Sequence, residues 1–172
     1  MAKPSRIDIR PAELGDHGWV LERHAHLFPG EPGWGESFIA LIARVIADYL
    51  QTHDPEREGA WIAELDGERV GSAYCTRESE EVARLRLVFV ESSARGHGVG
   101  SRLVETTLDF ARERDYRRMV LWTNSTLESA RRIYDALGFV QVKEEPDPAF
   151  PEGTLAQEMW LDLQPGLRRS PQ

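Results

Sequence analysis

The spacing of apolar residues predicts a chain in which strands and helices alternate. Between residues 36 and 52, apolar residues recur every three or four positions, as on a helix with one buried face. Alternation of apolar and polar residues over residues 6–10 predicts a first strand, and Asp66-Gly67 between two apolar runs predicts a hairpin. Continued along the chain, these patterns give the order β-α-α-β-β-β-α-β-α-β-β, which is typical of an α/β domain.

Residues 85–103 combine a strand, a glycine-rich turn and the start of a helix. The strand is an apolar run that ends at Val90. Three glycines at alternate positions follow it: Gly96, Gly98 and Gly100. The first amides of a helix have no intrahelical partner and the helix dipole makes that end positive, so the stretch suits a phosphate group. Arg95 adds a formal positive charge to the turn.

The glycine spacing excludes two common phosphate-binding loops. A Rossmann fingerprint requires G-x-G-x-x-G, but Ser101 stands where the third glycine belongs. No lysine of the Walker type follows the glycines. Glycines after a strand also occur in ordinary turns, so the loop by itself leaves a plain turn as an alternative.

Length and composition indicate one soluble domain. The 172 residues suffice for one sizeable core, predicted to span residues 5–163, with a frayed, disordered tail at residues 164–172. The single cysteine, Cys75, excludes an internal disulfide. No metal is predicted from the five histidines: His24 and His26 point to different helical faces, His17 and His53 have no ligand-type neighbours, and His97 belongs to the glycine loop. Because no apolar run has membrane length and no signal-peptide pattern is present, we expect a cytoplasmic protein that binds no membrane. The net charge of −8 argues against nucleic-acid binding.

Two motifs resemble those of the GCN5-related N-acetyltransferase (GNAT) superfamily. Residues 95–100, RGHGVG, preceded by the apolar strand, resemble motif A, R/Q-x-x-G-x-G/A. Residues 130–139, from Ala130 through Tyr134 to Gly138-Phe139, resemble motif B, A-x-x-x-Y-x-x-x-G-F. The resemblance implies a single α/β GNAT domain, in which a mixed, bent sheet splays between the fourth and fifth strands and carries helices on both faces.

The resemblance also implies an activity and the residues that perform it. It implies transfer of the acetyl group of acetyl-CoA, the co-substrate, to a primary amine of a small molecule or peptide by direct attack, without a metal. Tyr134 would protonate the departing thiolate, although its place on an apolar helical stripe also fits packing alone. The implied cofactor-binding residues are Val88, Phe89, Val90, Arg95, Gly96, His97, Gly98, Val99, Gly100, Ser101 and Asn124.

Asn124 is included because the sequence departs from the family pattern nearby. Many members have an asparagine seven residues before the tyrosine, where it contacts the cofactor, but that position is Leu127 here. Asn124 is the candidate replacement. The alternative is that Asn124 belongs to the capping of the following helix, since residues 125–128 form a capping-box pattern.

A second departure leaves the catalytic base open. Arg84 and Arg86 lie on the strand where some family members have a glutamate. Strand alternation places both arginines on the same face as Val88 and Val90, which predicts an acceptor that bears a carboxylate. The candidates for the base are Glu31, Glu81 and a chain of water molecules.

A different class of function competes with the enzyme. A catalytically silent GNAT module that binds an acyl-CoA as a sensor or interaction domain would have no need of a base or a proton donor. For the enzyme, the predicted partners are acetyl-CoA and an amine acceptor, with a homodimer left open. The sequence does not name the acceptor or exclude acyl groups other than acetyl.

Overall fold

The computed structural model describes residues 5–27 and 34–163 of the chain. The strands in these ranges are β1 (Ile7–Pro11), β2 (Gly59–Leu65), β3 (Glu68–Arg77), β4 (Val82–Val90), β5 (Arg118–Asn124), β6 (Val140–Glu145) and β7 (Ala156–Asp162). The α-helices are α1 (Leu14–Leu27), α2 (Glu36–Thr52), α3 (Val99–Glu113) and α4 (Glu128–Ala136). A short 3₁₀ turn, Ser92–Ala94, lies between β4 and α3.

The strands form one mixed sheet in the order β1-β2-β3-β4-β5-β7-β6. Neighbouring strands are antiparallel except β4 and β5, which run parallel. β4 pairs with β5 only from Val82 to Arg84, although β4 continues to Val90 and β5 to Asn124. The prediction of a mixed sheet that splays between the fourth and fifth strands is therefore confirmed.

The two faces of the sheet carry separate apolar clusters. α1 and α2 cover one face, where Val20 and Phe38 belong to a cluster with Ile62. α3 and α4 cover the other face, where Leu103 and Tyr134 belong to a second cluster. Helices lie on both faces, as predicted. The splay of the sheet thus opens between two well-packed layers.

A β-bulge interrupts β4 just before the glycine loop. Ser72 of β3 pairs with Phe89 and Tyr74 pairs with Arg86, so two residues of β4 oppose one residue of β3. Leu87 adopts a left-handed conformation there, with φ of 52°. The hydroxyl of Ser72 donates a hydrogen bond to the Leu87 carbonyl oxygen at 2.6 Å and holds the bulge in place.

The bulge changes which face the side chains of β4 occupy. Arg84 and Arg86 face α2, and after the bulge Phe89 shares that face. Val88 and Val90 instead pack against the cluster under α3. The prediction that strand alternation places both arginines on the same face as Val88 and Val90 is wrong, because the extra residue reverses the alternation.

Most element bounds agree with the sequence predictions to within a few residues. α2 has the bounds that its apolar spacing predicts, whereas β6 begins at Val140, two residues after the glycine that ends the preceding helix. Residues 164–172, predicted to form a frayed tail, lie outside the described residues. The single-domain boundary at residues 5–163 stays a prediction.

Candidate active site

Two cavities lie where β4 and β5 separate, and they share part of their walls. The loop cavity, of about 640 Å³, lies against the turn between β4 and α3. The arginine cavity, of about 410 Å³, lies between β4, β5, α2 and α4 and contains Arg84 and Arg86 in its wall. The residues that line both cavities are Leu27, Val88, Phe89, Leu127, Ala130 and Tyr134.

The loop cavity ends at the N-terminus of α3. The first bond of this helix runs from the amide of Arg102 to the carbonyl oxygen of Gly98 at 3.1 Å, so the amides of Val99, Gly100 and Ser101 precede the helical hydrogen bonds. The N-cap residue, Gly98, has no side chain with which to cap them. Free amides and the positive end of the helix dipole together favour an anion at this wall.

The glycines of the loop serve two different purposes. Gly96 and Gly98 have φ values of 81° and 75°, a left-handed conformation that glycine adopts without strain. Gly100 lies within the helix, and a Cβ there would stand 2.6 Å from Ile133 Cδ1 of α4. The glycine spacing therefore sets the course of the turn and also allows α3 to approach α4 closely.

Most of the predicted cofactor residues line the loop cavity. They are Val88, Phe89, Val90, Arg95, Gly96, Gly98, Val99, Gly100 and Ser101. His97 lies outside this lining. Its Nδ1 lies within hydrogen-bond distance of the carbonyl oxygens of Ala94 and Arg95, at 3.3 and 3.2 Å, so the ring is directed towards its own loop. Contact between these residues and a cofactor stays a prediction.

Asn124 lines the arginine cavity rather than the loop cavity. Its Oδ1 accepts hydrogen bonds from the amide and the hydroxyl of Thr126 at 3.0 and 2.8 Å, and its Nδ2 donates to Thr154 Oγ1 at 2.8 Å. The buried amide therefore holds the turn that leads into α4, close to the capping role given as the alternative. Its contact with a cofactor stays a prediction.

Tyr134 lies in the wall common to both cavities. Its ring is buried and packs edge-on against Phe139, with ring centroids 5.7 Å apart. Its hydroxyl has no hydrogen-bond partner within residues 5–27 and 34–163. Burial raises the pKa of Tyr134 above its usual value, so the hydroxyl carries its proton throughout the neutral range. The structure thus offers a protonated hydroxyl that is free to meet a ligand.

The arginine cavity combines an apolar aromatic wall with charged side chains. The Trp34 ring lies 4.7 Å from that of Phe38 and 5.6 Å from that of Phe150, and the three rings form an apolar wall. The charged residues in the lining are Glu78, Arg84, Arg86 and Asp147. Such a cavity suits a small ligand that is partly apolar and carries charge at a defined point.

The two arginines of the cavity differ in their surroundings. Arg84 Nε donates to Glu78 Oε2 at 2.7 Å, and this hydrogen bond lowers the pKa of Glu78. Arg86 makes no hydrogen bond and no ion pair with the residues that the structure describes. Burial, and then the charge of Arg84, lower the pKa of Arg86. The charges of Glu78 and Asp48 oppose that shift from beyond ion-pair distance. A guanidinium keeps its charge in proteins, so Arg86 is a half-buried cation without a direct ion-pair partner among the described residues.

His24 is the buried imidazole of the arginine cavity. Its Nδ1 lies 2.7 Å from the carbonyl oxygen of Val20, and because a carbonyl only accepts, Nδ1 carries the proton and Nε2 remains an acceptor. Burial lowers the pKa of His24 to about 4, although the hydrogen bond to Val20 opposes that shift. The ring is therefore neutral at neutral pH, and it packs edge-on against Phe89 with centroids 5.0 Å apart.

Neither glutamate proposed as the base lies in the described part of the cavities. Glu31 falls outside the described residues. Glu81 is exposed at the start of β4, where it pairs with Arg117 at 3.4 Å, and it is outside the lining of both cavities. The carboxylates that the structure does place in the arginine cavity are those of Glu78 and Asp147.

Sequence reasoning missed His24, Glu78, Asp147 and the aromatic wall. His24 had a usable signal, because Val20, His24 and Leu27 are spaced as one helical face. Glu78 comes from the β3–β4 hairpin, whose register was not predicted. Asp147 and Phe150 lie on the loop between β6 and β7, and no local pattern brings that loop to the cavity.

Within residues 5–27 and 34–163, no helix is long and apolar enough to span a bilayer. No group of three or more His, Cys, Asp or Glu side chains in the same ranges could hold a metal ion.

Comparisons with known proteins agree with this architecture. A putative acetyltransferase from Salmonella typhimurium, solved with acetyl-CoA, superposes with a TM-score of 0.71 at 20% identity, covering 95% of this chain and 98% of that one. An uncharacterized N-acetyltransferase from Archaeoglobus fulgidus is 35% identical over 85 residues, which are 46% of this chain and 58% of the relative. N-acetylaspartate synthetase from Danio rerio is 35% identical over 111 residues, which are 64% of this chain and 38% of the relative. The matched segments thus span about half the length, or less, of these curated relatives.

The family model that matches the chain covers most of its described core. The match extends over residues 22–139, from α1 through the glycine loop to the glycine-phenylalanine pair that follows α4. It includes the strand-loop-helix stretch, the splay and Tyr134. The chain belongs to the acetyltransferase (GNAT) family.

Proposed function

We propose that the protein is an N-acetyltransferase that transfers the acetyl group of acetyl-CoA to a primary amine by direct attack. The observation that carries this proposal is the wall shared by the loop cavity and the arginine cavity, which contains Tyr134 and the β4 residues Val88 and Phe89. A cofactor in one cavity and an acceptor in the other would meet at this wall. The family membership and the relatives named N-acetyltransferases support the same activity.

The loop cavity is the proposed site of acetyl-CoA. The free amides of Val99, Gly100 and Ser101 would receive the pyrophosphate, and Arg95 would add charge at the rim. Beyond Arg84, β4 pairs with no strand on the β5 side within the described residues, so its backbone amides and carbonyls can bind the pantetheine arm and the thioester. The thioester would then lie beside Tyr134.

The reaction needs one bond to form and one to break. The lone pair of the neutral amine attacks the thioester carbonyl carbon, forming the C–N bond, and the electron pair of the C–S bond leaves on sulfur. A β4 backbone amide near Val90 can stabilise the oxyanion of the tetrahedral intermediate, because it is a dipole that the fold holds in place. Tyr134 donates its proton to the departing thiolate.

The pKa values of the thiol and of Tyr134 determine when the tyrosine can give up its proton. An ordinary thiol has a pKa of about 8.5 and an ordinary tyrosine about 10, so full transfer to a free thiolate is uphill by about 2 kcal/mol. Burial of Tyr134 increases that difference. The hydroxyl therefore first donates a hydrogen bond as charge develops on sulfur, and the proton that the amine loses to water restores the tyrosine. No side chain has to act as a strong base.

A panel of primary amines with a free-thiol readout tests the proposal. Purified protein and acetyl-CoA should release CoA only when a suitable amine is present, and mass spectrometry should show one acetyl group on that amine. A reaction mixture without amine measures background hydrolysis. Tight binding of acetyl-CoA with no amine-dependent CoA release across the panel would instead identify a silent acyl-CoA sensor.

A further inference from the structure

We propose that the acceptor amine carries a carboxylate, and that Arg86 binds this carboxylate in the arginine cavity. This inference rests on the proposed function, because it names the substrate class of that same site. Arg86 would act as a specificity-determining residue, while Tyr134 and the loop cavity serve the chemistry.

Arg86 is the cation of the described cavity lining that makes no direct ion pair, and the carboxylates of Glu78 and Asp48 act on its charge only from beyond ion-pair distance. Its side chain is half-buried, lines the cavity and makes no ion pair with residues 5–27 or 34–163. Removing a charge from water costs free energy unless a partner compensates for the loss. An anionic ligand at Arg86 would supply that partner, so binding would recover a cost that the free protein already bears.

The other charged groups of the cavity have defined roles that leave Arg86 free. Glu78 forms its ion pair with Arg84, so these two charges cancel. Asp147 lies on the loop between β6 and β7, where its Oδ1 accepts a hydrogen bond from the amide of Ala149 at 2.8 Å. His24 is neutral and donates to a backbone carbonyl. The two carboxylates and two guanidinium groups of the lining balance in number, but none of the described carboxylates, including Asp48 of α2, forms a direct ion pair with Arg86.

The shape of the guanidinium favours a carboxylate over other anions. A planar guanidinium presents paired N–H donors that match the two oxygens of a carboxylate. The cavity, at about 410 Å³, is large enough for an amino acid, and Trp34, Phe38 and Phe150 provide an apolar wall for its side chain. A phosphonate is larger and carries up to two charges, whereas the cavity offers one unpaired cation.

The position of Arg86 also fits such an acceptor. Arg86 directly precedes the bulge at Leu87, and Val88 and Phe89, which follow it, belong to the wall shared with the loop cavity. A carboxylate at Arg86 would therefore orient its own amine towards the thioester. This is how one binding contact can position a nucleophile for attack.

Matched acceptors and matched variants test the inference. The L-amino acids and their primary amides should be compared as acceptors with the parent protein, Arg86→Met, Arg86→Lys and the control Arg44→Met. Methionine keeps an unbranched apolar side chain and removes the charge. Arg44 is an exposed arginine of α2 outside the lining of both cavities, so its replacement should change neither acceptor class.

In the parent, kcat/KM for an acid should exceed that for its amide by about ten- to a hundredfold, as expected for a hydrogen-bonded charge pair. Arg86→Met should remove that preference by lowering only the rate with the acid, and Arg86→Lys should retain part of it. An acid and its amide differ in amine pKa, and this difference affects their rates equally in both proteins. Dividing the acid-to-amide ratio of kcat/KM in the parent by the same ratio in Arg86→Met therefore removes it. Any of three results would overturn the inference. They are equal rates for acid and amide in the parent, equal losses for both in Arg86→Met, and a preference for the aminophosphonate analogue of the amino acid.

A binding measurement separates failure of this inference from failure of the proposed function. Calorimetry with N-acetyl amino acids and with their amides requires no turnover. A preference for the acid that disappears in Arg86→Met supports the carboxylate site even if no amine is acetylated. If amines are acetylated but binding shows no preference for the acid, the carboxylate site is wrong and the acetyltransferase proposal stands. Thermal melting of each variant verifies that the protein is folded.

Discussion

The loop cavity and the arginine cavity share a wall but are built in different ways. Most of the loop cavity comes from one continuous stretch of chain, residues 88–101, and α4 completes it. The arginine cavity takes its lining from α1, α2, the strands β4 and β5, the β3–β4 turn, α4 and the loop between β6 and β7. The first presents mainly backbone groups at its anion-binding end, whereas the second presents side chains.

This difference in construction matches a difference in role, because binding of a common cofactor and choice of a particular acceptor place different demands on a cavity. Backbone amides exist at every residue, so a cavity that uses them needs only glycines and a helix start to bind the same cofactor group. A cavity lined by side chains changes its ligand whenever one of those side chains changes. The comparison implies that substitutions in the loop cavity alter cofactor binding, substitutions in the arginine cavity alter acceptor choice, and only shared residues alter both steps.

Tyr134→Phe should have the largest effect, because Tyr134 belongs to both cavities. Loss of a general acid lowers kcat by about 10²–10⁴. The phenyl ring remains, and the hydroxyl has no partner among the described residues, so stability should change by less than about 1 kcal/mol. Steady-state kinetics with a reactive amine, together with calorimetry for acetyl-CoA, measure both quantities. A variant that binds acetyl-CoA normally and keeps most of its kcat would show that Tyr134 only packs.

Gly71→Ala should act on the shared wall through its backbone. A Cβ at Gly71 would lie 2.6 Å from the carbonyl oxygen of Phe89 and 3.0 Å from Leu103 Cδ1, so β4 must shift where the two cavities meet. Overpacking of this kind costs about 1–3 kcal/mol of the free energy of unfolding. Denaturant unfolding measures that loss, and binding of acetyl-CoA and of an acceptor should both weaken.

Gly18→Ala is the matched control for Gly71→Ala. A Cβ at Gly18 meets nothing within 4 Å, and Gly18 lies inside α1. Replacing an exposed helical glycine by alanine stabilises a helix by about 1 kcal/mol or less. If Gly71→Ala behaved like Gly18→Ala, the close contact with Phe89 would have no energetic consequence and the shared wall would be more adaptable than the packing indicates.

Arg95→Ala should have the smallest effect, and only on the cofactor. Arg95 is exposed at the rim of the loop cavity, and exposed ion pairs contribute about 1 kcal/mol or less, so the Kd for acetyl-CoA should rise about two- to fivefold. The effect should shrink as salt is added, because exposed charges are screened. The acceptor KM at saturating acetyl-CoA should not change.

Arg112→Ala, on the helix α3 that follows the loop, provides the comparison for Arg95→Ala. Arg112 pairs with Asp109 at 3.1 Å near the far end of α3 and is outside the lining of both cavities. Its replacement should leave the Kd for acetyl-CoA unchanged. An equal change in both variants would mean that general charge, rather than the position of Arg95, attracts the cofactor.

Where the sequence predictions were wrong or incomplete, the reason lies in contacts between distant segments. The facing of Arg84 and Arg86 was mispredicted because a bulge depends on how β4 pairs with β3, which strand alternation alone does not reveal. For Asn124 the sequence did not reveal that its amide is engaged by Thr126 and by Thr154, which lies thirty residues away along the chain, and its contact with a cofactor stays a prediction. The open choice of base had the same origin, since the cavity carboxylates come from the β3–β4 hairpin and from the loop between β6 and β7.

The sequence by itself determined the features that short-range geometry controls. The period of apolar residues determined α2, and the glycines between β4 and α3 determined a turn with free helical amides, because positive φ values and helix starts depend on neighbouring residues. The tertiary structure alone decided that Arg86 faces a cavity without a direct ion pair to any described residue. Charge compensation depends on which side chains the fold brings within a few ångströms. For Arg86 the fold brings Arg84, whose partner Glu78 is already engaged, and it leaves Asp48 beyond ion-pair distance.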